Sequence, residues 1–300
     1  MFLGVAIWGG LVLAWAFEPL PAGSSQLLSE GSEPINAAGM WQADSGFIEG
    51  RARRENQANK VSAEQVSEYK WGELLNHLTV PASFDSRTQW KGCVHPILNA
   101  GECELCGWAI SAADVLSDRF CIQSSQQAVL SSQYVIDCQT DANGSDGGTA
   151  AQAWAYLSSI GTPLATCVPF TGLTHACPAD CTNSTPSTLF GAETVNTYTG
   201  IQSMQAAIMQ GGPIQACFQM YQEFQKYRGS IYIYSPTSSG ALVRTECVKL
   251  IGWGSSNCTN YWIGAGSYGT SWGMGGYFYF KMGQTALGLE TSGIAGDPFW

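Results

Sequence analysis

Eleven cysteines, all of them between residues 93 and 258, constrain this chain more than any other feature of its sequence. At that density cysteines are kept as disulfides in an oxidising compartment, so a secreted, bridge-stapled fold is expected. A zinc site on Cys103-x-x-Cys106 and Cys177-x-x-x-Cys181 is the rival use. It is set aside because secreted cysteines are oxidised more often than metallated, and no metal or other cofactor is expected. The opening run MFLGVAIWGGLVLAWA (1–16) agrees with that route, ending in Ala14-Trp15-Ala16, the small-residue pattern of a signal-peptidase site. It is short for a bilayer span, and no Lys or Arg precedes Arg51. A cleaved signal peptide is therefore preferred over a retained anchor, with no membrane association after its removal. Asn143-Gly-Ser, Asn183-Ser-Thr and Asn257-Cys-Thr are sequons for N-glycosylation on the same route.

A formal net charge of -10 leaves no basic patch to meet phosphates, which argues against nucleic acid as a partner. Residues 17–79 are polar, rich in Ser, Gly and Glu, and free of cysteine. From Val80 to residue 300 cysteines and aromatics are dense, so a boundary falls near 79–81. Within the second part, Gly107 to about Cys121 has Trp108, Ala112, Val115 and Leu116 at helical spacing. Ser131-Ser132 can cap a helix over QYVIDC, and TAAQAWAYLSSIG and IQSMQAAIMQGG read as helices stopped by glycine. PIQACFQMY, SIYIYS, CVKLIGW, YWIGAG and GYFYFKM read as strands. Helices first and strands after is an α+β order with two packed halves.

Several ordered stretches carry a resemblance. PASFDSRTQW (81–90), CELCGWAISAADVLSDRFC (103–121), SDGG (145–148), CVKLIGWG (247–254) and NYWIGAGSYGTSWGMGGYF (260–278) are similar to papain-like cysteine proteases, and within them to cathepsin B. Ile35-Asn36 and Trp41-Gln42-Ala43 resemble the cathepsin B propeptide. The resemblance implies a two-lobed papain-like fold. A helical lobe carries the cysteine helix, a β-barrel-like lobe faces it, and a propeptide lying backwards through the cleft precedes both. It places the chain in the secretory pathway, as a secreted or lysosomal/vacuolar protein.

The same resemblance locates the catalytic positions, and they are altered. The family pairs a cysteine thiolate with an imidazolium, oriented by asparagine, with a glutamine helping to hold the oxyanion; in papain that pairing holds the cysteine pKa far below a free thiol's. Here the histidine position is Glu246, the asparagine position is Gly266, and the glutamine falls at Ala100, or at Gly101 without a gap. Two placements of the nucleophile are open. Cys106 is retained with Gly107 as an insertion, or Trp108 is matched without a gap and the position is Gly107 itself. The first is preferred, because the Cys-Val-His-Pro-Ile stretch before it then spaces better. The only histidines are His77, His95 and His175, and none lies in 176–300, the half that supplies the family's catalytic histidine.

A carboxylate beside a thiol has the wrong sign for catalysis, since it disfavours the thiolate. From a free-thiol pKa of about 8.5, only about one cysteine in a thousand is ionised at pH 5.5 even before that repulsion. The resemblance also implies disulfides Cys93–Cys121, Cys138–Cys177 and Cys167–Cys181. Cys103, Cys106, Cys217, Cys247 and Cys258 remain without an assigned pairing. Gly147, Gly148, Trp272 and Ser292 are its substrate-binding positions, although a plain tight turn accounts equally well for the glycines. The expected function is that of a peptidase homologue without activity. Its cleft holds a peptide or protein ligand, its own propeptide included. Two rivals stand beside this: an active cysteine endopeptidase using Cys106 with Glu246, and a secreted structural or interaction glycoprotein.

Overall fold

The computed structural model describes residues 79–184 and 186–299. The expected leader (1–16) and all but the last residue of the expected propeptide-like segment (17–79), with Ile35, Asn36, Trp41 and His77, lie outside the described residues.

The first half supplies helices. A two-residue strand β1 (Phe84–Asp85) leads into α1 (Ser86–Gln89), and α2 (Gly107–Ser124) follows after a loop. Trp108, Ala109, Ile110, Ala112, Val115, Leu116 and Phe120 of α2 are all buried, together with Ser111, Ser117, Asp118 and Arg119, so α2 is enclosed on nearly every side. Its buried hydroxyls turn back on its own carbonyls: Ser111 Oγ donates to Gly107 O and Ser117 Oγ to Ala113 O, both at 2.6 Å. It ends where Ser125 turns left-handed at φ 60° and returns its N–H to Cys121 O. The cap expected at Ser131 starts α3 (Ser132–Cys138), with Ser131 Oγ accepting from Tyr134 N at 3.0 Å. Thr149 and Gln152 cap each other at the head of α4 (Ala150–Ser159).

The second half is mostly strand: β2 (Gly191–Tyr198), α5 (Ile201–Gly211), β3 (Ile214–Tyr221), α6 (Gln222–Gln225), β4 (Ile231–Tyr232), β5 (Leu242–Ser256), β6 (Thr259–Ala265), β7 (Tyr277–Lys281) and β8 (Gly293–Phe299). These strands form one sheet in the order β2-β8-β3-β5-β6-β7-β4, with β1 on β5. All pairs are antiparallel except β4 with β7. This is the α+β, two-part architecture the sequence implies. Phe218, Phe224, Trp272, Phe278 and Phe280 form an edge-packed aromatic core in the strand half.

Two departures from the sequence reading concern strands. SIYIYS contracts to the two residues Ile231–Tyr232. β2 and β8 escaped notice because neither has period-two alternation: β2 is exposed through its middle, and β8 reads GIAGDPF. Their pairing with each other makes them strands, not their own propensity.

Two buried polar ties set the sheet against α2. Asp118 of α2 receives Lys249 Nζ of β5 at 2.8 Å and His95 Nδ1 at 2.7 Å, with all three side chains almost wholly buried. Gln215 of β3 donates to Trp108 O at 2.9 Å and Ser111 Oγ at 2.7 Å, and accepts from Trp154 Nε1 at 2.8 Å. A buried group left without its partner costs several kcal/mol, roughly 3–5 for a broken ion pair, so these ties hold β3 and β5 against α2.

Candidate active-site cleft

The cleft runs between the start of α2 and the strands β3 and β5. On the α2 side, the segment 100–106 folds into successive turns, with Cys103 N on Ala100 O at 3.0 Å and Cys106 N on Cys103 O at 3.3 Å. Cys103 and Cys106 are joined in a disulfide with Cα atoms 5.5 Å apart. Cys106 is fully buried and stands as the residue before α2, which begins at Gly107. The expected nucleophile position, Cys106 with Gly107 read as an insertion, therefore holds a half-cystine in this structure. The thiol is consumed in a bridge, and the residue that faces Glu246 across the cleft is Gly107. A Cβ on Gly107 would lie 2.7 Å from Glu246 Oε1 and 3.0 Å from Cys247 O.

On the strand side, Cys217 and Cys247 are directly opposed in the β3–β5 ladder and joined in a disulfide, with Cα atoms 4.0 Å apart. The residues one step on, Phe218 and Glu246, are likewise paired. The Glu246 side chain is 3% exposed and accepts a hydrogen bond from Arg244 Nε through Oε2 at 2.7 Å. Arg244 also donates through Nη1 to Oε2 of Glu104, at 2.9 Å, from the opposite wall. Strand alternation puts residues 244 and 246 on one face, which is how Arg244 reaches both carboxylates. Burial pushes the Glu246 carboxyl above its ordinary range, and Arg244 and the Tyr268 hydroxyl pull it part of the way back. Burial and the neighbouring Glu246 charge raise Tyr268. Arg244 is raised as well: burial lowers it, and the two carboxylates more than offset this.

The Glu104–Arg244 bridge divides the cleft. On one side lies a hollow of about 610 Å³ lined by Gly107, Gly147, Gly148, Cys217, Phe218, Glu246 and Ser292, among others. On the other lies a hollow of about 230 Å³ lined by Ala100, Gly101, Cys103, Tyr268 and Trp272. The sites expected to bind substrate are thus split, with Gly147, Gly148 and Ser292 in the larger space and Trp272 in the smaller. Gly148 is a glycine for a local reason, since a Cβ there would stand 2.6 Å from the Trp108 ring. At Gly266 a Cβ would stand 2.7 Å from the Tyr268 ring, which fills that space and packs 4.5 Å from Trp272, centroid to centroid. Ala100 contributes backbone alone, its N–H on Ser267 O at 2.8 Å.

Neither described histidine lines the cleft. His95 is buried on Asp118, and His175 lies in an exposed loop with Nε2 2.9 Å from Thr171 Oγ1. The remaining bridges are Cys93–Cys121, Cys138–Cys177 and Cys167–Cys181, and Cys258 is a free, exposed cysteine. Asn143, Asn183 and Asn257 are all exposed. Among the described residues no three His, Cys, Asp or Glu side chains gather as metal ligands would, and no helix is long and apolar enough to cross a membrane. Sequence reasoning missed Glu104, Arg244 and Tyr268. The alternation of Arg244 with Glu246 was the one signal that could have found any of them.

Residues 80–297 match the family described as papain family cysteine protease. The chain is 31% identical over 262 residues to cathepsin B-like cysteine proteinase 4 of Caenorhabditis elegans, covering 75% of this chain and 77% of that protein. It is 33% identical over 255 residues to cathepsin B-like cysteine proteinase 3 of the same organism, covering 75% and 68%. The solved structure of proCathepsin B S9 from Trypanosoma congolense superposes with a TM-score of 0.71 at 26% identity, covering 86% of this chain and 99% of that one. The chain belongs to the papain family of cysteine proteases, among its cathepsin B-like members.

Proposed function

We propose that this protein is a cathepsin B-like homologue that does not hydrolyse peptide bonds and uses the cleft to hold a peptide segment. The observation that carries the reading is the Glu246 carboxyl lying over Gly107, where the family needs a thiol and an imidazole. Glycine has no nucleophile to offer. The cysteine next to it is tied to Cys103, and a carboxylate beside any freed thiol would oppose its ionisation. The cleft itself is kept, with the larger hollow open and Gly147 and Gly148 on its wall. The likeness to a procathepsin B supports the propeptide-like segment 17–79 as one occupant of that cleft, behind a cleaved leader at 1–16. Five disulfides and three exposed sequon asparagines support passage through the secretory pathway to an extracellular or lysosomal destination.

The test is turnover of a fluorogenic dipeptide substrate at acidic and neutral pH, with and without a thiol reductant. No turnover is expected in any condition. Sustained hydrolysis that vanishes in Cys106→Ala would overturn the proposal in favour of an active peptidase whose thiol is released by reduction.

A further inference from the structure

We infer that the Cys217–Cys247 bridge in the cleft is a thiol–disulfide exchange site, at which a thiol-bearing ligand attacks Cys217 and is held as a mixed disulfide. This goes beyond the peptide-holding reading and does not depend on it. The ligand chemistry is a thiol, carried by a peptide cysteine or by a small molecule.

The first observation is position. Both residues of this bridge line the larger hollow, beside Leu105, Trp108, Leu287 and Ile294. In the Cys103–Cys106 pair, Cys103 borders the smaller hollow and Cys106 is fully buried. Cys93–Cys121, Cys138–Cys177 and Cys167–Cys181 have no residue on the wall of either hollow. A ligand in the larger hollow therefore meets one disulfide, and it is Cys217–Cys247.

The second is an asymmetry within the bridge. Cys217 is half-buried, whereas Cys247 is 7% exposed. Access decides which sulfur an incoming thiolate attacks, so Cys217 takes the attack and Cys247 leaves. The ligand thiol first gives its proton to water. Its sulfur then bonds to Cys217 Sγ as the Cys217–Cys247 bond breaks, and the electron pair departs on Cys247 Sγ, which takes a proton back from water. One disulfide replaces another, so no external oxidant or reductant is consumed.

The third is what holds the strands once the bond opens. Cys217 and Cys247 sit inside a ladder that runs from Ile214 opposite Leu250 to Tyr221 opposite Leu242. Gln215 and Lys249, two positions from each cysteine, are tied to α2 by buried polar contacts. β3 and β5 thus stay paired without the covalent link, and the exchange proceeds in the folded protein. Cys93, Cys167, Cys177 and Cys181, by contrast, lie outside the helices and strands, where a bridge fastens a loop. Sulfur in this cleft has changed role: the family's thiol attacks its ligand, whereas here the ligand's thiol attacks a disulfide.

The experiment uses the full chain carrying Cys258→Ser, which removes the free thiol. The probes are the capped, reduced peptide Ala-Val-Cys-Ala-Ala, its serine counterpart and 2-mercaptoethanol, each without oxygen at about pH 7.5, where roughly a tenth of an ordinary thiol is ionised. After an acid quench with N-ethylmaleimide, mass mapping locates the adduct and the released thiol. The expected product is a thiol adduct on Cys217 with Cys247 alkylated, formed roughly tenfold faster than at any other bridge, and none with the serine peptide. A peptide rate above that of 2-mercaptoethanol at equal thiolate concentration supports a peptide cysteine as the ligand, and a lower one supports a small thiol. Cys247 can attack back and release the ligand, so Cys247→Ser gives a second reading: its Cys217 thiol should be loaded by the disulfide form of the peptide and stay loaded. An adduct formed first on any other cysteine, Cys247 included, or no adduct without denaturant, overturns the exchange site. Peptide-bond turnover is measured separately, so that failure leaves the proposed function standing.

Discussion

Gly107 and Glu246 meet across the cleft so closely that each limits the other: a Cβ on the glycine would fall 2.7 Å from Glu246 Oε1 and 3.0 Å from the Cys247 carbonyl oxygen. The carboxyl could swing away, but the carbonyl belongs to β5, which is held to α2 by the Lys249–Asp118 pair. Gly107→Ala should therefore destabilise the fold by about 1–3 kcal/mol, the usual range for overpacking. Chemical denaturation of the variant measures this. If the glutamate is half of the obstruction, Glu246→Ala in the same chain should recover part of the loss, and a strictly additive double mutant would show that the two side chains do not touch.

Arg244 and Glu104 test whether burial or proximity sets the strength of the ion pairs. Arg244→Gln leaves a carboxyl that is 3% exposed without its cation, and should cost about 3–5 kcal/mol at neutral pH. Glu104→Gln removes an acid that is 67% exposed and should cost no more than about 1 kcal/mol. Comparable losses in the two variants would mean that the buried and exposed arms are equivalent.

The pH dependence of the Arg244→Gln loss has a definite sign. Burial raises the Glu246 carboxyl above its unfolded value, and Arg244 opposes that rise. Without Arg244 the rise is larger. In the window between the unfolded and folded values the native state binds more protons than the unfolded state, so stability falls as pH increases. The deficit of Arg244→Gln relative to the unaltered protein should therefore be smallest in mild acid and grow through neutrality. Melting curves from about pH 4 to pH 8 measure it, and a deficit independent of pH would show that Glu246 is not the group left uncompensated.

Most of the architecture was legible because local chemistry and fold agree at those residues. Ser131 caps a helix as its hydroxyl allows, and the α2 periodicity survives in a helix enclosed on nearly every side. The site was less legible because its contacts are long-range. Glu104 and Arg244 are 140 residues apart, and nothing local marks the glutamate as a partner. Arg244 also precedes the stretch read as strand, since β5 begins at Leu242 and not at Cys247. Cys217 and Cys247 could not be paired from spacing, because their opposition depends on the β3–β5 register. The bonding of Cys106 could not be read from its sequence context. Four residues of a familiar motif suggest a nucleophile, and only the fold shows that this sulfur is bridged to Cys103 and that α2 starts at the next residue.

The cysteine pattern gives a chemical test of the folded state. Cys258 is the free, exposed cysteine, at the turn between β5 and β6 with φ 60°. The other ten cysteines form the five bridges. Without reductant, maleimide should label one thiol per chain, and none in Cys258→Ser. A second labelled site at Cys103 or Cys106 would mean that the bridge before α2 is open in the native protein, which would revive Cys106 as a nucleophile.

Restoring chemistry to the cleft separates the two placements of the nucleophile. If Gly107 holds the catalytic place, the productive change is Gly107→Cys with Glu246→His, which puts a thiol and an imidazole where a glycine and a carboxyl now face each other. Deleting Gly107 with Glu246→His leaves Cys106 as the sulfur nearest the new imidazole, and that sulfur is already bonded to Cys103. Covalent capture by an epoxide inhibitor should appear in the first variant and not in the second. Adding Gly266→Asn should help only if the Tyr268 ring, 2.7 Å from where that Cβ begins, shifts aside, so Tyr268→Ala is the natural companion change. Capture in the deletion chain but not in Gly107→Cys would return the nucleophile position to Cys106.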